Sequence, residues 1–295
     1  MPFRPTFDCL WCGTSHTVRG HDDLEGWAHL CPACLGRAGD NAFLRTRLRA
    51  ALAERASVAP TPGPGGGGGP DLDAEMRAYY AARAPEYDDW YLRRGRYSHG
   101  PVHDVAWQSE LDAATRWLDG LPIGGEIVEL AAGTGWWSPL LAQKGELSIY
   151  DAVEVPLDRA RSRLVAHGLR AHIHVRDAWA EPDRLVDALF TGFWLSHVPR
   201  ERLVAFLTLA AGWLRPGGTY AFVDSRPDPQ SGAVDQPGAA DGEVSHRRLA
   251  DGREFVIPKV FYEPAQLEAA LREAGFGQAA VSTTGRFFLL GRATR

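Results

Sequence analysis

Beyond residue 34 the chain has no cysteine at all, and its four cysteines fall in two close pairs, Cys9 with Cys12 and Cys31 with Cys34. Cysteines scattered at even spacing would read as a secreted disulfide framework; crowding at one end argues against it. Long apolar runs are missing too. None approaches the roughly 18–20 residues of a membrane-spanning helix, and Met1 to Leu10 lack the basic and apolar regions of a signal peptide. A cytoplasmic protein with no membrane partner is expected. A basic excess is also absent: the formal net charge is −5, which offers nucleic acid no general attraction.

What is present begins with the cysteines. C-x2-C, eighteen intervening residues and a second C-x2-C can place two thiolates on each of two tight turns, a tetrahedral set for zinc. His16, His21 and His29 lie between the pairs, but four thiolates already close the shell. A closed shell leaves no position for substrate, so the metal is expected to hold a zinc-ribbon-like fold rather than to catalyse. From Met1 to Ala59 seven arginines face six acids, and a tetrathiolate zinc adds negative charge. Contact with the rest of the chain, another subunit or a protein partner is therefore expected of this unit ahead of nucleic acid.

Pro60 to Pro70 is almost wholly proline and glycine, has nothing to bury, and reads as a linker reaching on the order of 20 Å. The expected organisation is a zinc-binding domain with a trailing helix (1–59), the linker (60–70) and an α/β domain (71–295). Asp73 to Arg94 reads as a helical stretch rich in aromatics, capped by Asp71 or Asp73 and interrupted at Pro85. Its rings, Tyr79, Tyr80, Tyr87, Trp90 and Tyr91, suit either a core face or a lid over a cofactor. From Glu126 to Val223 strand-like and helical runs alternate, which implies a mostly parallel sheet with helices on both faces. Asp151, Asp177 and Asp224 stand at strand ends, where ligands of such sheets bind. Ala250-Asp251-Gly252 then signals a hairpin, and a helix over 263–274 and two terminal strands complete the chain.

The stretch from Val128 to Trp137 organises the rest: a strand, a turn holding Gly133 and Gly135, and a helix. Glycine in such a turn lets a ligand approach the backbone closely. A dinucleotide site wants a third glycine three residues after the second. Ser138 stands there, behind the bulky Trp136 and Trp137, so a pyrophosphate has little room. No Lys-Ser/Thr pair follows Gly135 to make a phosphate loop either.

With these motifs in this order, residues from about 73 to 291 resemble the class I S-adenosylmethionine-dependent methyltransferases, in particular their small-molecule branch similar to menaquinone and ubiquinone methyltransferases. The resemblance implies a Rossmann-like, mostly parallel seven-stranded sheet and S-adenosylmethionine as cofactor. It implies that Glu129 precedes the cofactor loop Ala131 to Gly135, with alanine where the family's first glycine stands. Asp151 would take the ribose hydroxyls, and Asp177, followed by Ala178 and Trp179, would lie beside the adenine amine. Rings near the sulfonium favour the cation through their π faces; Tyr79, Tyr80, Tyr87, Trp136, Phe193 and Trp194 are the candidates. His197, His99 and His103 are candidate general bases, and an acidic acceptor would need none. The expected reaction is in-line methyl transfer to a small-molecule acceptor. RNA methylation assisted by the zinc unit, and a non-catalytic cofactor-binding regulator, are the alternatives.

Overall fold

In the computed structural model, residues 71–236 and 242–295 are described, preceded by the backbone of two short strands. The chain divides into two units, Met1–Gly67 and Gly68–Arg295. In the first, β1 (Thr6–Asp8) pairs antiparallel with β2 (Ser15–Thr17). Cys9, Cys12, Cys31 and Cys34 lie outside the described residues.

The second unit opens with α1 (Leu72–Arg83), capped by Asp71, whose carboxylate accepts from Ala74 N at 3.2 Å. Pro85 has no N–H to give the helix, so the helical stretch breaks and resumes as α2 (Tyr87–Leu92). α3 (Pro101–Asp119) starts on a proline, where a missing N–H costs nothing. Alternation follows: β3 (Gly125–Leu130), α4 (Ser138–Lys144), β4 (Gly145–Asp151), α5 (Glu154–Ala166), β5 (His172–Val175), β6 (Val186–Gly192), α6 (Leu203–Trp213) and β7 (Leu214–Ser225). A hairpin, β8 (Val244–Arg248) and β9 (Glu254–Pro258), precedes α7 (Pro264–Glu273), β10 (Ala279–Thr283) and β11 (Phe288–Thr294).

The seven strands of the main sheet run in the order β10-β11-β7-β6-β3-β4-β5. Those from β7 to β5 are parallel; β11 runs antiparallel to β7, and β10, antiparallel to β11, runs in the common direction again. Val128 and Leu130 of β3 and Leu189 and Phe190 of β6 are fully buried, as central strands covered on both faces should be. One face packs on Phe206, Leu207 and Trp213 of α6 with Leu267 and Leu271 of α7. The other packs on Trp107 and Leu118 of α3, Leu141 of α4 and Leu157 of α5. From β3 the chain steps outward to β4 and β5, then returns past β3 to β6. That reversal opens a crevice at the carboxyl ends of these strands. The hairpin forms its own two-stranded sheet, and its Phe255 and Ile257 pack on Met76 and Tyr79 of α1. Among the described residues no helix is long and apolar enough to cross a membrane.

Candidate active site

The turn after β3 is built from left-handed residues: Ala131 (φ 51°), Gly133 (φ 55°) and Gly135 (φ 69°). A Cβ placed on Gly133 would meet nothing within 4 Å, whereas one on Gly135 would lie 2.6 Å from Ala160 Cβ. Clearance for a ligand is thus the role open to Gly133. Gly135 is glycine because the turn packs on α5. Ser138, at the place of the absent third glycine, donates to Glu129 Oε2 at 2.5 Å. Glu129 is 1% exposed and lies beneath the turn, outside the cleft lining. Burial pushes its carboxyl up to about 8, against the opposing bond from Ser138.

Above the turn lies a cleft with about 780 Å³ of empty space, part of it open to solvent. Ala131, Gly133, Asp151, Asp177, Ala178 and Trp179 contribute to one side, and Met76, Arg77 and Tyr80 of α1 to the other. Asp151, at the end of β4, accepts from Gly133 N (2.9 Å) and Val153 N (2.8 Å). Burial pushes it up to about 6, while both backbone bonds pull the other way. Asp177 accepts from Trp179 N (2.9 Å) and pairs with Arg77 (3.3 Å). Trp136 is not brought into this cleft; it stacks on Tyr91 at 4.1 Å, and Arg163 Cζ lies 5.1 Å from its ring centre.

A second cavity, of about 1500 Å³ including open solvent, adjoins the first. Tyr80, Tyr87, Phe193 and His197 line both. Phe193 closes β6 in a left-handed conformation (φ 59°), strain of the kind that collects at functional sites. The His197 ring is fixed at both ends: Nδ1 lies 2.7 Å from Pro258 O and Nε2 lies 2.7 Å from the Tyr80 hydroxyl. A carbonyl only accepts, so Nδ1 carries the proton and Nε2 receives one from Tyr80. Burial, with the charge of Lys259 adding to it, holds His197 well below the usual histidine range.

The other predicted residues divide. Tyr79 lines the second cavity alone, packed edge-on against Tyr80 (4.9 Å). His99 lines it too, its Nε2 donating to Gly232 O at 3.0 Å. His103 lies in neither lining; its Nδ1 accepts from Arg286 Nη1 at 3.1 Å. Asp224 is buried beneath, accepting from Ser196 N (3.0 Å) and Ser225 N (2.6 Å). Sequence reasoning missed Arg77 in the cleft and Arg83, Arg247 and Lys259 in the cavity. It also left unsettled what the hairpin does: Ser245 and Arg247, two apart on β8, both line the second cavity.

Fold and crevice define a Rossmann-like α/β protein built to bind a ligand at its strand ends. Residues 127–218 match a family described as a methyltransferase domain. The structure of DhpI in complex with SAH is 30% identical, covering 77% of this chain and 98% of DhpI with a TM-score of 0.60. A DhpI–SAM–HEP complex matches equally, at 30% identity over 77% of this chain and 99% of that one, TM-score 0.61. Magnesium protoporphyrin IX methyltransferase from Synechocystis PCC 6803, with bound SAM, shares the fold at 19% identity, over 78% of this chain and all of that one (TM-score 0.52). No curated protein matches the chain. The chain belongs to the S-adenosylmethionine-dependent methyltransferases.

Proposed function

We propose that the cleft over the Gly133 turn holds S-adenosylmethionine, that the adjoining cavity holds a small-molecule acceptor, and that the methyl group passes at the wall they share. The observation that carries this reading is the double role of Tyr80, Tyr87, Phe193 and His197, which line both spaces. The cleft fits the donor in chemistry. Gly133 leaves open the space a Cβ would fill. Asp151 offers a half-buried carboxylate, a strong acceptor for sugar hydroxyls. Donor contacts fall to Tyr87, Ala131, Gly133, Asp151, Asp177, Ala178, Trp179 and Phe193. Glu129, Gly135, Trp136 and Tyr79 act behind them, by holding the turn or packing the rings. That DhpI takes SAM and HEP in one complex supports a site of two compartments.

The bound donor supplies a methyl group on a positively charged sulfur, ready for displacement. The chain's own part is to hold the acceptor in line and to manage its proton. Because Tyr80 gives its proton to His197, its oxygen lone pairs are free to receive the hydrogen bond of an acceptor hydroxyl. Tyr80 then orients that oxygen, and a proton leaving it can pass through Tyr80 to His197 Nε2. The test is incubation of the full chain with methyl-labelled S-adenosylmethionine and a metabolite extract. Label should appear in a small molecule; label recovered only in RNA would replace that acceptor with the alternative one.

We also propose structural zinc at Cys9, Cys12, Cys31 and Cys34, on their sequence spacing alone. Elemental analysis should find about one zinc per chain.

A further inference from the structure

Among the described residues lining the second cavity, three cations face one carboxylate. The cations are Arg83 from α1, Arg247 from β8 and Lys259, just past β9. The carboxylate in the same lining, Asp228, is already paired with Arg286 at 2.6 Å. Arg83 is 9% exposed; its Nε is buried without a partner, and no carboxylate among the described residues pairs with it. What it does touch are rings: Tyr87 at 4.5 Å, Tyr79 at 5.5 Å and Tyr97 at 5.7 Å from its Cζ. Arg247 likewise keeps a buried, unpartnered Nε. The Lys259 ammonium donates to two neutral oxygens, Ser196 Oγ (2.8 Å) and Ser225 Oγ (3.4 Å), and the buried carboxylate of Asp224, bonded to the backbone N–H groups of the same two serines, is the negative charge that acts on it.

Taking a guanidinium out of water without a counter-ion costs several kcal/mol. Ring faces recover only part of that, on the order of 0.5–2 kcal/mol. A fold that keeps Arg83 and Arg247 facing one cavity in this state is arranged for a negative charge that arrives with the ligand. The fork of a guanidinium and the point charge of an ammonium both suit oxyanions.

We propose that the second cavity is an anion site, and that the methyl acceptor is a small molecule bearing an oxyanion held by Arg83, Arg247 and Lys259. That the anion belongs to the acceptor rests on the two-compartment reading above. Arg83 Cζ lies 4.5 Å from the ring of Tyr87, which lines both spaces, so the anion is seated beside the shared wall. Two kinds of group share this chemistry, a tetrahedral oxyanion and a planar carboxylate.

The test is calorimetric titration of the full chain, saturated with S-adenosylhomocysteine, with sodium sulfate and separately with sodium acetate at constant ionic strength. Saturable binding of at least one is expected, and preference for one geometry identifies the group. Arg247→Gln should weaken it at least about tenfold, as losing a charge-assisted contact does, and Lys259→Met similarly. Arg83→Gln alters a buried side chain, so the half-buried Arg247 carries the test if that variant does not fold. Protein that takes up S-adenosylhomocysteine normally but binds neither anion overturns the proposal, as does equal binding by Arg247→Gln. Anion binding without S-adenosylhomocysteine binding would leave the anion site standing and remove the donor assignment instead.

Discussion

Burial has moved two of the side chains that line the two spaces into the range where physiological pH sets their charge. Asp151 is pushed up to about 6. In the proposed role it must be ionised to accept from the ribose, so donor affinity should be full above that pH and decline as pH falls below it. Titration of S-adenosylhomocysteine between pH 5 and 8 checks this. Asp151→Asn should flatten the profile and cost about tenfold or more in affinity, the usual worth of a charged hydrogen bond. Lys259 moves the opposite way, down to about 7, through burial opposed by Asp224 and reinforced by Arg247 and Arg83. It is charged below that pH and neutral above it. Sulfate, whose own charge is constant here, should therefore bind fully below about pH 7 and up to tenfold more weakly for each unit above it. In Lys259→Met that slope should vanish. Asp151 and Asp177 were legible in the sequence because each ends a recognisable strand. Arg83, Arg247 and Lys259 were not, because they come from a helix and from both sides of a hairpin that only folding brings together. One signal was there: of the 32 Lys+Arg residues only Lys144 and Lys259 are lysines.

At the scale of elements, the alternation of strand and helix fixed the sheet, since apolar runs buried on both faces have few other readings. Boundaries slipped where pairing overrode local signals. Pro216, Gly217 and Gly218 are turn-forming residues, yet Leu214 already pairs with Val186 and the strand continues through the irregularity. The turn after β3 shows the same limit at finer grain. Its two glycines look alike in sequence but answer different constraints, and substitution should separate them. Gly135→Ala puts a methyl 2.6 Å from Ala160 Cβ in a left-handed residue. Overpacking and strain together should cost about 2–5 kcal/mol and lower the melting temperature by several degrees. Gly133→Ala meets no atom within 4 Å and bears only the left-handed penalty, about 1–2 kcal/mol. Its methyl should cost donor affinity while lowering the melting temperature by clearly less than Gly135→Ala does. Equal melting temperatures for the two variants would contradict this division.

Over the whole molecule, the two-unit division allows metal and methyl donor to be treated as separate linkages. Every described residue lining the proposed donor cleft, from Asp73 to His197, belongs to the second unit, and the four cysteines belong to the first. A metal that only holds the first unit's fold contributes its binding free energy to that fold and nothing directly to the cleft. Cys31→Ser should therefore lose the zinc detected by elemental analysis while S-adenosylhomocysteine affinity stays within about twofold, a change of ~0.4 kcal/mol. Turnover of the small-molecule acceptor should also depend weakly on salt, whereas an RNA substrate held through phosphates would lose affinity by orders of magnitude between low and moderate salt. If Cys31→Ser abolished donor binding instead, the two linkages would not be separate, and the assignment of the metal to the first unit's fold alone would fall.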